Sequence, residues 1–265
     1  MEFVDIGVNL TSKRFDRDRD QVLERARQAG VTRMVLTGTS VASSIEALGF
    51  ARDRDGLFAT CGCHPHEASD FGHNDITAIE TLAREDRMVA IGECGLDFNR
   101  NFSPPEIQIA VFDQHLQLAS RLQLPLFIHE RDAAQTMVSM LRDNQQALPN
   151  AVIHCFTGSL DELEIYVAMG LYIGITGWIC DERRGLHLRE AVRRIPLDRL
   201  LLETDAPWLT PRDLKPKPKD GRNEPAFLPH IAQEIANCRG ETLTELAAAT
   251  TANARTFFGL DEARS

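Results

Sequence analysis

The sequence predicts a single (β/α)8 barrel, and three observations carry that expectation. Eight short apolar runs alternate with longer stretches of helical periodicity along 265 residues. The runs are almost continuously apolar, as in Ala151-Val152-Ile153, which marks strands buried on both faces and therefore parallel. Several runs end in an ionisable residue, and strand ends are where such barrels keep their chemistry.

Taken in order, the strands are expected at Phe3–Asn9, Arg33–Gly38, Leu57–Cys63, Met88–Glu93, Leu124–His129, Ala151–Phe156, Leu171–Gly177 and Leu200–Asp205. The intervening helices include Asp18–Ala29, stopped by Gly30, and Ile107–Leu122, which halts ahead of Leu124-Pro125. After the eighth strand come a loop rich in Pro and Lys, Thr210–Pro225, and two helices near Leu228–Asn237 and Thr242–Phe258. Too little chain follows that loop for an independent domain, so residues 1–265 are expected to form one. Gly7-Val8-Asn9-Leu10 lacks the glycine spacing of a dinucleotide-binding turn, which argues against an open doubly wound sheet.

A hydrophobic content of 43% suits a soluble globular chain, and a formal net charge of −10 argues against wholesale attraction to nucleic acid or an anionic membrane. It leaves room for a nuclease, since a bound cation and a few local bases can manage one phosphate. No leader-like N-terminus and no run near the ~18 apolar residues of a membrane span is present, so no membrane partner is expected. The six cysteines include no Cys-x-x-Cys pair and are expected to be reduced and packed as small hydrophobes, in a cytoplasmic protein that acts as a monomer.

The chemistry collects at the strand ends. The fourth strand runs into Gly92-Glu93-Cys94-Gly95-Leu96-Asp97, the fifth ends at His129, the sixth at His154 and the eighth at Glu203-Thr204-Asp205. Two imidazoles and a carboxylate hold a divalent cation with positions left open, so Glu93, His129 and His154 are the expected ligands. Such an ion polarises a phosphoryl or carbonyl oxygen and activates water, which makes the chain a hydrolase. Asp205 is expected either to bind metal or to take the water's proton, and Asp205 with Glu93 are the expected catalytic carboxylates.

Each residue has a blander alternative. A strand-end histidine is often a hydrogen-bonded structural group, Glu93 could pair with Arg131, and Asp205, ahead of Ala206-Pro207, could only shape a turn. His64 and His66 flank Pro65 after the third strand and are read as substrate contacts or turn formers. His73, His115, His187 and His230 are read as solvated or packing residues, and Trp178 as a packing plug that could alternatively stack a base. Arg131, Arg183, Arg184 and Lys215 are the candidate phosphate contacts, with Arg212, Lys217, Lys219 and Arg222 adding charge to the same loops.

Together, Cys63-His64-Pro65-His66, Gly92-Glu93-Cys94-Gly95-Leu96-Asp97, His129-Glu130-Arg131-Asp132, His154-Cys155-Phe156-Thr157-Gly158 and Glu203-Thr204-Asp205-Ala206-Pro207 resemble the TatD-type metal-dependent deoxyribonucleases. The resemblance covers essentially the whole chain. It implies a magnesium-dependent 3′–5′ exonuclease on single-stranded DNA and RNA, of the amidohydrolase barrel type, linked to repair of oxidative damage. Most of that family carries His-x-His at the end of the first strand for a second metal, where this chain has Gly7 and Asn9. One firmly bound ion is therefore expected, magnesium by resemblance, with manganese or zinc as alternatives favoured by the usual affinity order. Two other function classes compete: a barrel hydrolase of a small amide, lactone or phosphoester, and a non-catalytic interaction protein with a degraded metal site.

Overall fold

A computed structural model describes residues 1–261. Eight strands alternate with helices in the sequential order of a (β/α)8 barrel. β1 is Phe3–Val8, β2 Val31–Leu36, β3 Leu57–Cys61, β4 Met88–Asp97, β5 Leu126–Arg131, β6 Ala151–Ile153, β7 Tyr172–Ile175 and β8 Leu200–Leu202. The helices between and after them are α1 (Arg19–Gln28), α2 (Val41–Arg52), α3 (Asp75–Ala83), α4 (Pro105–Leu122), α5 (Ala134–Asn144), α6 (Leu160–Ala168), α7 (Leu186–Arg194), α8 (Leu228–Arg239) and α9 (Leu243–Phe258). Among the described residues no helix is long and apolar enough to cross a membrane.

Contacts gather into two compact units, Met1–Leu36 with Cys155–Thr256, and Thr37–His154 with residues 257–261. The second unit holds β3 to β6. Every position of β4 is buried, because both faces of a parallel strand are covered. β4 continues four residues beyond the expected end, pairing with β5 in register as far as Asp97 opposite Arg131. Two glycines permit this. Gly95 has φ +142°, and a Cβ there would run into the carbonyl oxygen of His129; Gly92, at φ +141°, faces the carbonyl of Phe127 in the same way. The two glycines are what lets β4 lie against β5.

The first unit holds β1, β2, β7 and β8. The β1–β8 seam is closed by Asp205 N–H to Gly7 O at 2.9 Å and Asn9 N–H to Ala206 O at 2.7 Å. Asp5, fully buried on β1, reinforces it: its Oδ1 accepts from Thr204 N at 2.9 Å and its Oδ2 from the Thr204 hydroxyl at 2.6 Å. β6 and β8 stop earlier than expected, at Ile153 and Leu202, and the chain then turns through left-handed residues, Cys155 at φ 47° and Asp205 at φ 53°. Helix starts follow their local chemistry. Ser40 and Ser43 form a capping box on α2, and Ser159 with Glu162 does the same for α6, each cap contributing about 1 kcal/mol.

Candidate metal centre

Within the second unit, one carboxylate oxygen collects three imidazoles. Glu93 Oε1 lies 2.8 Å from His154 Nε2, 2.9 Å from His129 Nδ1 and 3.2 Å from His64 Nε2. The backbone of Glu93 is fixed by its N–H to Gly38 O at 2.7 Å. His154, one residue past β6, stacks on Phe127 with ring centroids 4.6 Å apart. The His64 ring is oriented by its own turn: Nδ1 accepts from His66 N at 3.1 Å, capping the short 3-10 helix Pro65–Asp70. A ring whose second nitrogen is engaged in this way presents the first in a fixed direction.

The sequence reading of His64 is a substrate contact or a turn former, and its Nδ1 does cap a turn. Its imidazole also joins Glu93 and His129 in a group whose ligand atoms all fall within 4.8 Å of one another, a role the sequence reading does not include. His66 takes a different part, with Nε2 donating to Asp97 Oδ2 at 2.7 Å. Asp97 is the residue that sequence reasoning left out of the site. It is buried, its Oδ1 accepts from Asn99 N at 3.0 Å and Arg100 N at 2.8 Å, and Gln108 clamps its backbone on both sides. The signal was present in Glu93-x-x-x-Asp97, since residues four apart on a strand share a face.

The electrostatics fit a place for positive charge. Burial pushes the Glu93 carboxyl up, but His154, His64 and His129 outweigh it and hold the group well below the ordinary carboxylate range. Asp97 is depressed likewise, burial being overcome by His129, the Arg100 amide and His66. Burial lowers His64, while His129 is raised despite burial because Asp97 and Glu93 flank it. His129 Nε2 is buried and faces Asp97 Oδ2 at 3.4 Å, a charge contact without hydrogen-bond geometry, while its Nδ1 faces Glu93. Imidazoles gathered between two ionised carboxylates suit a divalent cation, and the donor set of imidazole and carboxylate matches it.

The first unit carries all but one of the remaining expected residues. Asp205 Oδ1 accepts from Asn9 Nδ2 at 3.0 Å, so the amide at the expected second-metal position serves as a donor to the carboxylate. Glu203 is fully buried and accepts from the Cys155 amide. Arg184 lies over the Trp178 ring at 5.5 Å, and Arg183 and Arg212 lie 3.7 and 3.6 Å from Asp181. Lys215 is exposed, as is Arg131 at the end of β5 in the second unit. Arg222 is a correction. It does not extend the basic loop but is buried, paired with Asp18 at 2.7 Å and Glu224 at 2.8 Å. Sequence reasoning also passed over Trp208, which is half exposed beneath the Arg14 guanidinium at 5.5 Å.

A family model for TatD related DNases matches residues 4–259. The chain belongs to that family. Among curated TatD proteins it is 55% identical over 257 residues to the "3′-5′ ssDNA/RNA exonuclease TatD" of Klebsiella pneumoniae, spanning 97% of this chain and 98% of that one. It is 54% identical over 254 residues to the protein of the same description from Salmonella typhimurium, spanning 96% and 98%. Of solved structures, a TatD homologue of Escherichia coli K12 superposes with a TM-score of 0.88 at 29% identity, covering 97% of this chain and 98% of that chain. A TatD family hydrolase from Entamoeba histolytica gives 0.87 at 25%, covering 97% and 98%. This TatD chain therefore has the family's barrel, and Glu93, His129 and His154 of the TatD-like motifs meet around one carboxylate oxygen.

Proposed function

We propose that this TatD family member is a metal-dependent 3′–5′ exonuclease that hydrolyses phosphodiester bonds of single-stranded DNA and RNA, acting as a monomeric, single-domain barrel with a role in DNA repair. The observation that carries the reading is the convergence of His154, His129 and His64 on Glu93 Oε1. The family, and close relatives described as 3′–5′ ssDNA/RNA exonucleases, support the same substrate class.

Glu93, His129 and His154 would hold the ion, with His64 as a further nitrogen donor. When bound, the ion supplies Lewis acidity to a phosphoryl oxygen. Asp205 accepts the proton of the attacking water as its oxygen bonds to phosphorus. The bond from phosphorus to the leaving sugar oxygen breaks, and that oxygen takes a proton from solvent as it departs. Asn9 orients Asp205, and Asp97 orients His66 and His129 from behind. Arg183, Arg184, Lys215 and Arg131 steer the phosphates, and Trp178 and Trp208 offer faces on which unpaired bases stack. Magnesium is the ion we assign, by its abundance in cells, with manganese also fitting the donor set.

The test is a reaction on single-stranded DNA labelled at its 5′ end. A ladder that shortens from the 3′ end, abolished by chelator and by Glu93→Ala, supports the proposal. Release from the 5′ end would overturn its polarity, and an intact strand at every divalent ion tried would overturn the nuclease reading.

A further inference from the structure

A second group of ligating side chains lies in the first unit, apart from the residues assigned above. Cys180, Asp213 and His230 each bring one ligand atom to within 4.8 Å of the others. They come from three segments. Cys180 ends the short 3-10 helix Gly177–Cys180 after β7, Asp213 lies in the loop after β8, and His230 is in the first turn of α8. His230 Nε2 is 2.8 Å from Asp213 Oδ1, and Arg212 to Asp181, at 3.6 Å, ties the same two loops a residue away.

A solvated Asp–His pair contributes little to stability and does not explain why a buried thiol also faces it. Cys180 is fully buried, and its thiol is pushed far above the ordinary range by burial, with Asp213 and Glu234 adding to the effect and Arg189 opposing it. Such a thiol is a poor nucleophile. It becomes a ligand only where a cation takes the place of its proton. Glu234, one turn along α8, is occupied by Arg189 at 3.0 Å, which leaves three donors for one ion.

We infer that Cys180, Asp213 and His230 form a structural binding site for a zinc-like divalent cation, which cross-links the loops after β7 and β8 to α8. Thiolate, imidazole and carboxylate are the donors of a borderline-soft ion, with water completing four-coordination. Binding forms a metal–sulfur bond as the Cys180 thiol releases its proton to solvent, and no electron is transferred. The site is distinct from the centre around Glu93, whose donors are nitrogen and oxygen alone.

Cobalt(II) is the probe, because a cobalt–thiolate bond gives a charge-transfer absorption in the near ultraviolet that nitrogen and oxygen ligands do not. The full-length protein, stripped with chelator, is titrated with Co2+ in the wild type and in a Glu93→Ala/His129→Ala variant. We expect the absorption in both, with one equivalent remaining bound in the double variant. Cys180→Ser should abolish it, Cys238→Ser should leave it unchanged, and His230→Gln, at a partly exposed position, should weaken it at least tenfold with the circular dichroism unaltered. Absence of the absorption from the wild type, its survival in Cys180→Ser, or its loss in the Glu93→Ala/His129→Ala variant would overturn the inference.

Discussion

Asn9 Nδ2 donates to Asp205 Oδ1 at 3.0 Å, joining residues 196 positions apart at the β1–β8 seam. The amide, at the position where the resemblance implied a second-metal histidine, serves as a donor that fixes a carboxylate. Asn9→Ala should therefore lower kcat on single-stranded DNA by about 10–100-fold while leaving ion affinity at the Glu93 centre unchanged. Steady-state kinetics paired with equilibrium dialysis check this, and an equal fall in ion affinity would assign Asn9 to the metal instead.

Asp97 stands behind the candidate ligands. With His66 Nε2 at 2.7 Å and His129 Nε2 at 3.4 Å, it holds the charge and direction of two imidazoles. Asp97→Asn keeps the shape and removes the charge, and it should weaken ion binding by about 10–100-fold. Isothermal titration with Mn2+ reads this directly. An unchanged affinity would limit Asp97 to clamping the Asn99–Arg100 turn.

The outcome at Asp97 bears on how much of the site was legible in the sequence. Eight strands were readable because each is a short apolar run, and the residues that gather around Glu93 Oε1 were readable because they end those runs. The length of β4 was not. Gly92 and Gly95 look like breakers locally, and only the approach of β5 carbonyls shows why glycine is needed there. His64 and His66 could not be told apart in sequence, since the bend at Pro65 decides which ring faces Glu93 and which faces Asp97. Arg222 read as a loop base because its partner Asp18 is 204 residues distant. Pairings at that range leave no local trace.

Gly95→Ala tests the close approach. The substitution forces alanine into φ +142° and its Cβ against the His129 carbonyl, so backbone strain alone should cost about 1–3 kcal/mol. Urea denaturation measures it. Gly49→Ala, on the exposed face of α2 with nothing within 4 Å of the new Cβ, should instead stabilise by about 0.4–1 kcal/mol. Equal effects at the two glycines would remove the argument for β4.

Asp5 gives the stability a pH dependence of known sign. Burial raises its carboxyl from 3.8 to about 7, hydrogen bonds from Thr204 and Gly7 offsetting only part. Between those values the folded chain keeps a proton that the unfolded chain has lost, so this contribution is full below about pH 4 and fades as pH rises to about 7. His115, lowered to about 4 by burial, has the opposite slope, its contribution fading as pH falls from 6.5. Asp5→Asn leaves His115 in place and removes only the first effect. The Tm of the variant relative to wild type should climb from pH 4 to 7, and a constant difference would contradict the assignment.

The most direct test of the account is a count of ions against nuclease activity. Mn2+ is titrated into a Cys180→Ser background, which removes the Cys180–Asp213–His230 site, with 5′-labelled single-stranded DNA as substrate and bound ion measured by equilibrium dialysis. The account predicts a hyperbolic rise in activity with one tightly held ion per chain, both lost in Glu93→Ala. Sigmoidal activation with two tightly held ions, or activity that persists without Glu93, would contradict it.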